Sequence, residues 1–139
     1  MIIGIDPDVD RSGIAAIDPG ETILSTLSLW SIFELLEETS NRFVIIEAGW
    51  KNKKGLAFGG GRMRAIRTGM NHAIGRQIEA YCKAHDIEHE LFVPSKRTPV
   101  WDHETLIRLT GLNVKQSNPE TRAAVRAVYF STKGKEVFK

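Results

Sequence analysis

Arg42-Phe43-Val44-Ile45-Ile46-Glu47 is the stretch that decides the reading of this chain. Four large apolar residues in a row, closed by an acid, describe a strand buried on both faces. The opening Met1-Ile2-Ile3-Gly4-Ile5-Asp6 repeats the pattern, an apolar run that stops at a carboxylate. Both runs belong in the middle of a sheet. An acid at the end of a buried strand is costly unless it is paired, hydrogen-bonded or bound to a metal. If the two strands lie side by side and parallel, Asp6 and Glu47 converge, and convergent carboxylates suit a hard divalent cation such as Mg²⁺. The plainer reading is that each acid caps a neighbouring loop amide.

Working outward, Gly13 to Ile17 reads as a second strand and Thr22 to Leu29 as a third, joined by the turn Asp18-Pro19-Gly20-Glu21. With the first strand they make an antiparallel meander. Ser31-Ile32-Phe33-Glu34 has capping-box spacing and predicts a short helix to about Thr39. Lys51 to Thr68, with Gly59-Gly60-Gly61, reads as irregular. Met70, Ile74, Ile78, Tyr81 and Cys82 recur at helical spacing and predict a helix from Gly69 to about His85. They suit a core face or a dimer seam. Glu88 to Val93 is a fifth strand, stopped by Pro94. Asp102 caps a short helix, His103 to Thr110, ended by Gly111. Asn118-Pro119 opens the last helix, which runs to about Ser131. The order is β-β-β-α-β-α-β-(α)-α in one domain, residues 1–139.

The chain of 139 residues is too short for a two-domain ATPase, a TIM barrel or a protein kinase. Its 42% apolar and 26% charged residues are ordinary for a globular domain. The lone Cys82 closes no internal disulfide and suits a reducing cytoplasm. No apolar run reaches membrane-spanning length, and the first residues lack the basic region of a signal peptide.

A net charge of +2 hides a partition. Residues 1–47 carry −7, residues 48–78 carry +7 and residues 79–139 carry +2. The middle stretch holds Lys51, Lys53, Lys54, Arg62, Arg64, Arg67 and Arg76 and no acid. A surface without carboxylates points to phosphate, and Trp50 and Phe58 within it suit stacking on bases or anchoring in the core. Lys96 and Arg97, after the fifth strand, are further phosphate candidates. The alternative is a basic loop paired with acids elsewhere on the fold.

Gly4-Ile5-Asp6-Pro7-Asp8 followed by Ser12-Gly13-Ile14-Ala15 resembles the opening of RuvC-type nucleases of the RNase H-like superfamily. Ile45-Ile46-Glu47 resembles their second catalytic segment. The stretch from Asp102-His103-Glu104 through Thr110-Gly111 to Ser117-Asn118-Pro119-Glu120-Thr121-Arg122-Ala123-Ala124 is similar to the C-terminal part of phage-type RuvC-like Holliday junction resolvases. The resemblance implies an α/β RNase H-like fold, with a five-stranded mixed sheet (three antiparallel strands, then two parallel) flanked by helices. It implies a Mg²⁺- or Mn²⁺-dependent homodimer, with two ions per site, that nicks four-way DNA junctions in pairs. It also implies a bacterial cytoplasm if the protein is phage-encoded. Asp6, Glu47 and Glu120 would be metal ligands, with Asp6 bridging the ions. Ribonucleases H proper carry the second acid on the first helix, where this chain has Glu34, Glu37 and Glu38, which read as a solvated face. The departure is Ala123, where resembling enzymes place an Asp. Retention of the other three acids favours an engineered exchange over natural loss. Either way the chain is expected to be nuclease-inactive or strongly impaired. A silent binder of branched DNA, or an unrelated α/β protein whose basic loop binds RNA or protein, are the other readings.

Three further patterns carry less. Asp6-x-Asp8-x-Asp10 mimics an EF-hand start, but Arg11 stands where Gly is needed and Ile17 where Glu is needed. Cys82, His85 and His89 have no zinc-site spacing. Gly59-Gly60-Gly61 is not followed by the Gly-Lys-Ser/Thr of a phosphate-binding loop. Asn71, His72 and Arg76 fall on a helix that faces either DNA, a partner or solvent.

Overall fold

Strand β1 (Ile2–Asp6) sits at the centre of a five-stranded sheet of order β3-β2-β1-β4-β5, in a computed structural model that describes residues 1–52, 61–95 and 97–138. On one side β1 pairs antiparallel with β2 (Ser12–Asp18), which pairs antiparallel with β3 (Glu21–Leu27). On the other side it pairs parallel with β4 (Phe43–Glu47), which pairs parallel with β5 (His89–Phe92). The expected three-antiparallel, two-parallel sheet is therefore the observed one. The central runs are buried as their composition requires, with Ile3, Ile5, Val44, Ile45 and Ile46 fully inside.

Helices cover both faces. One face packs Ile3, Ile5, Ile14, Val44 and Ile46 against α1 (Leu29–Glu38) and α2 (Gly61–Ala84) through Ile32, Leu36, Ile78 and Cys82. The other packs Ile2, Ala15, Ile17 and Ile45 against α3 (His103–Thr110) and α4 (Pro119–Phe130) through Leu106, Ala124, Val125 and Val128. Glycine sets how close α4 comes. A Cβ on Gly4 would lie 2.5 Å from the Ala124 carbonyl oxygen and 2.6 Å from a Val128 methyl. A Cβ on Gly13 would run into the backbone of Glu120. The first turn of α4 thus rests on β2 beside Asp6, the register partner of Gly13. The capping box at its start has Asn118 accepting from the Thr121 amide and Thr121 accepting from the Asn118 amide.

Several boundaries move. Helix α1 begins at Leu29, with Ser28 as its cap accepting from the Ser31 amide, so Leu29 leaves the third strand and Ser31 falls inside the helix. Two serines three residues apart offer the same capping pattern, and the earlier one places Leu29 against the core. Helix α2 begins at Gly61 rather than Gly69, so Arg62, Arg64 and Arg67 lie on a helix and not in an irregular segment. A 3-10 turn at Gly49–Lys51 and a four-residue helix α5 (Gly134–Val137) were not expected. The expected core role of Met70 is corrected: it is exposed, while Ile78 and Cys82 are buried and Ile74 and Tyr81 half-buried. Among the described residues, no helix is long and apolar enough to cross a membrane.

Candidate functional site

The parallel pairing of β1 with β4 matches Ile5 to Ile46, so the next residues, Asp6 and Glu47, stand together where the two strands end. Alternation along the strands turns both carboxyls away from the Ile5 and Ile46 face and towards α4. The two carboxyl groups are close enough for a proton held on Asp6 to bond to Glu47. Burial, the most important cause, then that hydrogen bond and the charge of Glu47, push Asp6 up to about 9; the Arg126 guanidinium works against them. Of the two acids, Asp6 is the one that burial and its neighbour drive to hold a proton or a cation.

Arg126 completes the cluster. Its Nη2 donates to Glu47 Oε1 at 3.1 Å, and its Nη1 donates to the Pro99 carbonyl at 2.9 Å. The side chains of Arg126 and Glu47 are only 13% and 12% exposed, so this ion pair is largely shielded from solvent. Sequence reading passed over Arg126. The available signal was its spacing: Glu120, Ala123 and Arg126 recur every three residues, which places them along one side of α4.

Beside the acids opens a cleft of about 200 Å³, lined by Asp6, Glu47, Trp50, Asn71, His72 and Pro94 among others. The first half of α2 forms one wall and is tied to the β1–β2 loop. Asn71 Oδ1 accepts from the Val9 amide at 2.7 Å, and Arg67 bonds Asp10 at 2.8 Å and Asp8 at 3.4 Å. Asp8 and Asp10 therefore act as turn and clamp residues. His72 stands over Gly49, whose missing side chain makes the room. Burial, and secondarily the charge of Arg76, lower its pKa, so its imidazole is neutral near pH 7.

The structure thus brings Asp6 and Glu47 together and leaves the rest of the expected ligand set apart. Glu120 is half-buried in the first turn of α4, its backbone against Gly13. Ala123 is half-buried one turn further and carries no ligand atom. Among the described residues, no three His, Cys, Asp or Glu side chains are placed to hold one ion. The carboxylate pair suits a single hard cation that draws its remaining ligands from water, and among the described residues no larger ligand set is assembled around it. Cys82 is buried, and burial pushes its thiol up to about 11, so it is an inert core residue.

The basic candidates do not share one face. At 100° per residue, Arg64 and Arg67 fall on the side of α2 that carries Asn71 and Gly75, whereas Arg62 and Arg76 fall on other sides. All four are exposed, as are Lys51 and Arg97. Lys53, Lys54, Phe58 and Lys96 lie outside the described residues.

No protein-family model and no curated protein matches the chain. Among solved structures it resembles T. thermophilus RuvC, determined in complex with a Holliday junction substrate, at a TM-score of 0.58 and 11% identity. The match covers 91% of this chain and 88% of that one. The fold is RuvC-like, as the opening motifs implied.

Proposed function

We propose that this chain is the nuclease domain of a structure-selective endonuclease that engages four-way DNA junctions as a homodimer. The observation that carries the reading is the Asp6–Glu47 carboxyl pair at the ends of adjacent parallel strands of a RuvC-like sheet. A phage-type Holliday junction resolvase is the member of that fold class its motifs fit. The neighbour's own complex is with a Holliday junction, which supports the choice of substrate class.

In this reading Asp6 and Glu47 hold a Mg²⁺ or Mn²⁺ ion, which when bound supplies Lewis-acid stabilisation and an activated water. The chain's own residues do the rest. Arg126 orients Glu47 through the bond to Oε1. Trp50 and His72 line the cleft beside the two acids. Lys51, Arg64 and Arg97 offer charge to neighbouring phosphates, a contribution that weakens with salt. Ala123 supplies no carboxylate, so hydrolysis by the chain as written is strongly impaired, and an Asp there would restore a carboxylate on the α4 side of the pair. Ala123 also favours the second reading, a silent binder of branched DNA on the same fold.

Competition binding in EDTA tests the substrate class. An immobile four-way junction and a duplex of matched length compete for the full chain at fixed salt. The expected result is a preference for the junction of about tenfold or more, with affinity for both falling steeply as salt rises. Equal affinity for both would sink this reading and leave a general phosphate-binding α/β protein.

A further inference from the structure

Arg126 is not explained by the fold. A guanidinium hidden from water, one helical turn beyond Ala123, is directed at the same carboxylate that ends β4. Its second anchor, the Pro99 carbonyl, fixes it there, and its Nε has no partner among the described residues. A fixed cation beside two carboxyls changes what the site can hold. It removes part of the negative potential that attracts a divalent ion, and it occupies one oxygen of Glu47. Meanwhile Ala123 offers no oxygen, and Glu120 is not grouped with the pair. We propose that Arg126 is the second cation of this site: the chain takes one divalent ion at Asp6 and Glu47, and the guanidinium supplies the charge that a second ion would bring. This rests on the proposal above that Asp6 and Glu47 are metal ligands.

The test counts ions directly. The full chain is titrated with Mn²⁺ at neutral pH, free ion is read by electron paramagnetic resonance, and the titration is repeated with saturating four-way junction. One ion per chain is expected in both. Arg126→Met, which removes the charge but keeps an apolar stem, is expected to bind its one ion about tenfold tighter or more. Arg126→Lys keeps the charge and is expected to stay within about threefold of the parent. The lysine variant also covers the case in which the methionine variant folds poorly. A role in packing alone would move both variants alike. Two ions in the parent, equal affinity in the methionine variant, or no ion in any form would each overturn the proposal. Junction affinity in EDTA is read on the same preparations. Its failure would sink the DNA reading while the ion count still stands.

Discussion

Asp6 is where the cost of this site is concentrated. Its carboxyl is buried against that of Glu47 and titrates far above its ordinary value of 3.8. The folded chain therefore keeps a proton that the unfolded chain releases between about pH 4 and about pH 9. Because the folded value is the higher one, the stabilising effect is complete below that window and is lost as pH rises through it. In EDTA the protein should accordingly become less stable from mildly acidic to alkaline pH. Asp6→Asn removes the ionisation, so its thermal midpoint at pH 8 should exceed the parent's by about 3 °C or more, with a flatter decline on the alkaline side. A parent and variant with parallel pH profiles would contradict the burial and pairing described for Asp6. Both acids were legible in the sequence because each ends an unbroken apolar run, and burial follows from the run. Arg126 was not legible, because an arginine in an amphipathic helix reads as solvent-exposed until the strand beneath it is known.

Helix α2 is the element in which sequence and structure diverge most. Its first two turns, Gly61 to Thr68, hold no buried residue, and Gly61 with Gly69 argues against a helix. What fixes them is tertiary: Arg67 on Asp8 and Asp10, and Asn71 on the Val9 amide, bind the helix to the β1–β2 loop. The same turns carry an apolar stripe pointing outwards. Met63 is 76%, Ile66 45% and Met70 47% exposed, at spacings of three and four residues. A homodimer of the kind proposed above would have this stripe available as its seam, since Ile78 faces inwards and Tyr81 stacks on Phe33. Sedimentation of the full chain should give a dimer, and Ile66→Glu with Met70→Glu should give a folded monomer. A parent that sediments as a monomer at tens of micromolar would contradict the seam. By contrast, α4 was legible almost to the residue, because Asn118, Pro119 and Thr121 form a local cap that needs no tertiary context.

Across the whole molecule, the sheet order follows from a few local signals. Turn residues join the first three strands into a meander, and the helix between β3 and β4 forces a crossover that returns the chain parallel to β1. That crossover places the ends of β1 and β4 side by side, and Gly4 and Gly13 let α4 approach closely enough for Arg126 to reach Glu47. The fold was readable because it depends on apolar runs and turns. The completeness of the site was not, because it depends on how α4 lies across the sheet. The measurement that bears most directly on the account uses a four-way junction labelled on each strand in turn, and its matched duplex, with Mg²⁺. The chain and its Ala123→Asp counterpart are compared. The expected result is paired nicks at symmetric positions on two opposing strands by the Asp form, an intact duplex, and a rate lower by orders of magnitude for the chain as written. Equal cutting by the two forms would contradict the role of position 123, and no cutting by either would contradict a nuclease.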